Sequence, residues 1–132
     1  MIKYLLDTNI AIYTIKNRPE RVRKAFTKHY GQMAISTVTV MELMYGAERS
    51  ARVERNIRDV EGFCARLDVL DYDAPAAIHS GQIRAALAGQ GQPVGPYDVM
   101  IAGHARSRGL IVVTNNTKEF TRISGLQIEN WV

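Results

Sequence analysis

The chain has 132 residues, 46% hydrophobic and 23% charged, with a formal net charge of +4. That is one ordinary globular domain over 1–132, long enough to bury a real core. Its single cysteine excludes a disulfide framework or a zinc–thiolate cluster, and the basic balance favours an anionic partner.

Ile2 to Leu6 predicts a short buried strand that stops at Asp7. Thr8 or Asn9 is expected to cap a helix through Ile10, Ile12, Tyr13 and Ile15. Asn17-Arg18-Pro19 breaks it, and Pro19 suits the first turn of a basic helix from Glu20 to His29. Met33 to Ser36 reads as a second strand. Ser36 or Thr37 caps a helix from Val38 to Ala47 that is apolar on nearly every side, as a buried helix is. Ser50 to Arg66 alternates Arg with Glu and Asp, the pattern of a solvated helix, and places Cys64 as a small buried helical side chain.

Leu67 to Tyr72 predicts a third strand, and Asp73 caps a helix through Ile78, Ile83 and Leu87. Gly89 to Gly95 reads as a loop. Pro96 opens a helix from Tyr97 to Arg108 that Gly109 ends. Leu110 to Val113 has the continuous apolar pattern of a central parallel strand. A helical turn over Thr117 to Phe120 and a strand over Gln127 to Glu129 close the chain. Strands alternating with helices imply an α/β fold, a mainly parallel central sheet with helices on both faces in three layers. No apolar run approaches the ~20 residues of a membrane span, and the apolar start is too short for a signal peptide. A cytoplasmic protein with no membrane partner is the expectation.

Three carboxylates stand alone in apolar sequence. Asp7 is the only charge between Lys3 and Lys16, Glu42 the only one between Lys28 and Glu48, and Asp98 the only one between Arg84 and Arg106. A lone carboxylate in a dry place needs a partner that offsets its desolvation. Converged, the three form an all-oxygen site for a hard cation, Mg²⁺ or Mn²⁺. In open α/β sheets ligands bind beyond the carboxyl ends of the strands. Asp7 follows the first strand there and Asn116 the fourth, while Asp98 opens a helix. Thr8, Asn9 and Thr114 are placed to orient the carboxylates. His104 reads as a packed, hydrogen-bonded histidine, because a site of hard oxygen ligands needs no imidazole.

Leu-Leu-Asp-Thr-Asn at 5–9, Met-Glu-Leu-Met-Tyr-Gly-Ala-Glu at 41–48, Gly-Pro-Tyr-Asp-Val-Met-Ile-Ala-Gly-His-Ala at 95–105 and Val-Thr-Asn-Asn-Thr-Lys-Glu-Phe at 113–120 closely resemble the PIN-domain ribonucleases of the VapC toxin type. The match runs the length of the chain in order. The resemblance implies a Mg²⁺-dependent endoribonuclease, a toxin neutralised by a VapB-type antitoxin, with DNA reached only through that antitoxin. It carries catalytic acid roles to Asp7, Glu42 and Asp98 and implies a 5′-phosphate and a 3′-hydroxyl as product ends. Where many members have a fourth acid, this chain has Asn116, with Glu119 one helical turn on as a candidate replacement. The resemblance also implies a homodimer, for which Ile10, Tyr13, Met41, Met44 and Tyr45 supply an apolar contact.

An RNA substrate, with a tRNA taken by analogy, would meet the rim residues Arg21, Lys24, Tyr97 and Lys118. Further cations are expected from Arg106, Arg108 and Arg122. A haloacid-dehalogenase-type phosphatase needs a second aspartate where Asn9 stands. A receiver domain needs acids where Leu5 and Leu6 stand. The competing reading is a non-catalytic RNA-binding or antitoxin-binding module with a vestigial metal site.

Overall fold

Tyr4–Leu6 forms the first strand, β1, with all three side chains buried. Burial on both faces is what a central parallel strand requires. In this computed structural model, which describes residues 1–91 and 93–132, β1 is followed by α1 (Thr8–Ile15), α2 (Glu20–Lys28), β2 (Met33–Ser36), α3 (Thr37–Glu48), α4 (Val53–Cys64) and β3 (Asp68–Leu70). Then come α5 (Ala74–Gln90), α6 (Pro96–Arg108), β4 (Ile111–Val113), α7 (Thr117–Phe120) and β5 (Ile128–Glu129).

The five strands are parallel, in the order β3-β2-β1-β4-β5. Successive side chains on a strand point to opposite faces, so each strand feeds two cores. Tyr4, Leu6, Met33 and Ile35 pack with Val22, Phe26, Leu43, Val60 and Phe63, under α1 to α4. Leu5, Ala34 and Val112 pack with Ile83, Leu87, Ile101, Ala102 and Phe120, under α5 to α7. The result is the three-layer α/β architecture expected. Chain order reverses at β1, which has β2 on one side and β4 on the other. That switch point opens a crevice beyond the ends of β1 and β4.

Several boundaries differ from the sequence reading. The cap of α1 is Asp7, not Thr8 or Asn9: its backbone stays extended, its side chain accepts from the Ile10 N–H at 2.9 Å, and its carbonyl accepts from Ala11. The helix begins directly as the strand ends, so the first residue outside the sheet takes the cap. Pro19 is the cap of α2 and not within its first turn. The helix α4 is shorter than 50–66. The edge strand β3 covers only Asp68–Leu70, exposed where a neighbour strand is lacking. The expected loop at Gly89 starts later, since α5 runs to Gln90 and ends on Gly91 with φ of 64°; residue 92 of that loop lies outside the described residues. Ser36, Asp73, Pro96 and Gly109 do cap or bound their helices as anticipated.

The helix α3 is not buried all round. Met41 and Tyr45 are exposed on it, and Glu42 is only half-buried. Of the apolar residues expected at a dimer contact, Met41 and Tyr45 are exposed and Ile10 is not available. Ile10 is wholly buried in the core and Tyr13 and Met44 pack against it. Apolar residues on one helix read alike in sequence whether they face the core or solvent.

Candidate active site

The crevice gathers Asp7, Glu42 and Asp98 on the wall of a single cleft of about 670 Å³, together with Thr8, Asn9, Ile12, Met41, Tyr45 and Tyr97. Each acid comes from a different element. Asp7 directly follows β1 and is 2% exposed. Glu42 sits mid-way along α3 and Asp98 in the first turn of α6, where the helix N-terminus favours negative charge.

Neighbouring hydroxyls and amides hold the acids. The Thr8 hydroxyl donates to Glu42 Oε1 at 2.6 Å and lies 3.3 Å from the Thr39 hydroxyl. The Thr114 side chain opposes the rise of the Asp7 carboxyl and accepts from the Asn116 N–H at 2.8 Å. The Asn116 amide donates to Glu119 Oε2 at 3.0 Å and lowers the Asp98 carboxyl against its burial. Thr8, Thr114, Asn116 and Glu119 therefore stand where the sequence placed them, around the three acids. Asn9 lines the cleft. Thr39 was not foreseen, though its place one turn before Glu42 on α3 was the available signal.

Four negative charges share this space. Burial pushes the Asp98 carboxyl from 3.8 up to about 6, reinforced by the charges of Asp7, Glu119 and Glu42; Asn116 opposes the rise. Burial also raises Asp7, with Glu42 adding to it and hydrogen bonds from Thr114, Ile10 and Asn9 opposing it. Among the described residues the ion pairs are those of Glu20 with Arg23 and Lys24, far from this cluster. The repulsion has no ion-pair partner among the described residues, and hard carboxylate oxygens are the donor set that Mg²⁺ or Mn²⁺ takes. No three such groups among the described residues already close into a ligand shell.

A pH dependence follows. The folded protein keeps a proton on Asp98 up to about pH 6, whereas the unfolded chain releases it near 3.8. Between these values the folded state binds more protons, so stability falls as pH rises through this window. The difference in Tm between the metal-free parent and Asp98→Asn, measured from pH 4 to 7, is expected to move against the parent. A difference independent of pH would show that Asp98 titrates normally.

The predicted rim is partly displaced. Tyr97 lines the cleft and Lys118 stands exposed on α7, one residue before Glu119. Arg21 and Lys24 do not line it; they are exposed on α2, where Lys24 lies 3.8 Å from Glu20. Arg106 and Arg108 end α6, the opposite end from Asp98. Arg106 is a structural tie, donating to His79 Nδ1 at 2.9 Å, Gln82 at 2.8 Å and the Ser124 carbonyl at 3.0 Å. Basic residues the sequence did not single out lie closer: Lys16, Arg18 and Arg55 line an adjoining cleft that shares Ile12 and Glu42 with the first. His104 is fully buried, its Nδ1 2.9 Å from the Ser36 hydroxyl, and burial lowers its pKa. It is packed and hydrogen-bonded, as anticipated, and does not line the acid cleft. Cys64 is half-buried on α4.

The PIN-domain family model matches residues 4–126. The chain belongs to the PIN-domain family. Within it the resemblance is to VapC-type ribonucleases. A tRNA(fMet)-specific endonuclease VapC of Shigella flexneri is 65% identical over 131 residues, covering 99% of both chains. The VapBC structure from Salmonella typhimurium, solved bound to DNA, superposes with a TM-score of 0.96 at 62% identity over the whole of both chains. VapBC2 of Rickettsia felis, bound to a fragment of promoter DNA, gives 0.93 at 36% identity, again over both chains in full. In this PIN domain the acids therefore sit on the fold, and at the sheet end, that the sequence pointed to. None of the described helices is long and apolar enough to cross a membrane.

Proposed function

We propose that this PIN domain is a metal-dependent endoribonuclease, the toxin of a VapBC-type pair, acting in the cytoplasm on tRNA, with tRNA(fMet) the first candidate. The observation that carries the reading is the convergence of Asp7, Glu42 and Asp98 on one cleft without a basic partner among the described residues. Asp7, Glu42 and Asp98 would hold Mg²⁺ or Mn²⁺. Bound there, the ion supplies Lewis acidity toward a phosphodiester and its attacking water.

The chain's own residues prepare the site. The Thr8 hydroxyl fixes the Glu42 carboxylate, and Thr114 fixes Asp7 while the cap to Ile10 holds it from the other side. Asn116 is a neutral donor that holds the Glu119 carboxylate and favours the charged form of Asp98. It supplies no charge, so Glu119 is the residue that contributes the fourth negative charge. A VapB-type antitoxin is the protein partner, DNA is reached through it, and the toxin is a homodimer in this reading.

The test is sequencing of RNA ends after brief expression, with Asp7→Ala as control, alongside cleavage of purified tRNA in Mg²⁺ and in chelator. Cleavage leaving 5′-phosphates, lost in chelator and in Asp7→Ala, is expected. Binding of RNA or antitoxin without cleavage in any divalent metal would favour the non-catalytic module. Sedimentation as a single 14.8 kDa species at micromolar protein would remove the dimer.

A further inference from the structure

The acid cleft has an aromatic rim that the chemistry of hydrolysis does not use. Tyr97, next to Asp98, is 46% exposed, and Tyr45, one helical turn beyond Glu42, is 61% exposed. Both line the same cleft as the acids, with Met41 and Ile12 between polar groups. Large exposed aromatics at a concave site are uncommon without a partner, because they leave apolar area in water. Tyr45 is also held in place. The Arg49 guanidinium lies 5.8 Å from its ring centroid, and Arg49 Nη1 donates to its hydroxyl at 3.1 Å.

We propose that Tyr97 and Tyr45 are base-stacking residues that seat unpaired nucleotides flanking the scissile phosphate. The proposal deepens the ribonuclease reading and rests on it. The occupant is single-stranded RNA, argued from two features. The rim is continuous with the acids that would cut a phosphodiester, so any RNA cleaved there must pass it. Arg49, beside Tyr45, supplies positive charge for the backbone of a stacked nucleotide, which a phosphate requires next to so acidic a floor. A paired duplex hides the base faces that two isolated rings would stack on. The site therefore selects looped or unpaired segments.

The two rings come from separate helices, α3 and α6, each carrying one of the acids. Stacking would thus position the chain over the cleft rather than merely hold it nearby. Aromatic stacking tolerates any base, so these residues set where unpaired RNA is cut more than which base is present.

The test uses the full chain in an Asp7→Asn background, so that RNA is not consumed. The probes are a fluorescein-labelled single-stranded decaribonucleotide and the same backbone with abasic residues throughout, read by anisotropy in Mg²⁺. Tyr97→Leu and Tyr45→Leu are each expected to weaken binding of the base-bearing RNA by about 5- to 100-fold. Tyr97→Phe and Tyr45→Phe keep the ring and are expected to stay within about threefold of the background protein. The abasic strand is expected to bind weakly and alike to all five proteins.

Leucine variants that bind base-bearing RNA as the background protein does overturn the proposal. So do variants that weaken base-bearing and abasic strands equally, which would mark a contact to the backbone. If RNA binding is unchanged but capture of the antitoxin fails, the rim is a peptide surface instead. Failure of the ribonuclease reading looks different: unsubstituted protein that cleaves no RNA in Mg²⁺ or Mn²⁺.

Discussion

Replacing Asp98 with Asn is expected to lower RNA cleavage by about a thousandfold or more and, at the same time, to raise the Tm of the metal-free protein at pH 7. The two effects share one cause. Asp98 is crowded by burial and by the charges of Asp7, Glu119 and Glu42, which lift its carboxyl to about 6. At pH 7 it is ionised against that resistance, so the fold without metal carries the repulsion. An amide of the same shape removes one of the four charges and keeps polar atoms facing Asn116. If Asp98 is a ligand as proposed, the amide also removes a charged oxygen, and the cation would lose its hold. Activity and stability moving in opposite directions separate loss of a ligand from loss of the fold, as expected of a site strained for function.

Asp7→Asn should likewise abolish cleavage. Its amide oxygen can still accept from Ile10, so the cap on α1 survives. Cleavage by Asp98→Asn within tenfold of the parent would take Asp98 out of the metal site, and a Tm below the parent's at pH 7 would overturn the repulsion at Asp98.

The second large effect concerns packing. Gly103→Ala is expected to destabilise the protein by about 1–3 kcal/mol or more, a fall in Tm on the order of 10 °C. Gly103 lies in the buried face of α6, where α5 crosses it. A Cβ there would meet the Ser80 backbone, at 2.6 Å from its nitrogen and 2.8 Å from its Cα, as well as the Ser80 hydroxyl. Backbone cannot swing aside as a long side chain can, so the two helices must separate. Ser80 is also engaged, donating to the Ala76 carbonyl and accepting from the Tyr72 hydroxyl, both at 2.8 Å. Thermal and denaturant unfolding measure the loss. A Tm within about 2 °C of the parent would mean that α5 and α6 can shift at little cost.

The sequence alone determined much of this protein. The apolar run at 4–6, the caps Ser36 and Asp73, the stop at Gly109 and the β-branched run at 111–113 are local patterns, and local patterns set local structure. The isolation of Asp7, Glu42 and Asp98 was also legible, because a charge without neighbours is visible in one dimension. Other features were decided only by the tertiary structure. Asp7 serves as helix cap and site acid together because β1 ends where α1 starts. The Thr8 hydroxyl reaches Glu42 across 34 positions, and Arg106 is turned away from the rim to His79 and Ser124 by the packing of α6 on α5. Tyr45 lines the cleft while Ile10 fills the core. Periodicity tells how side chains distribute around one helix. Which side meets the core, and which meets the acids, depends on contacts between segments far apart in sequence, whose partners are fixed only when the sheet assembles as β3-β2-β1-β4-β5.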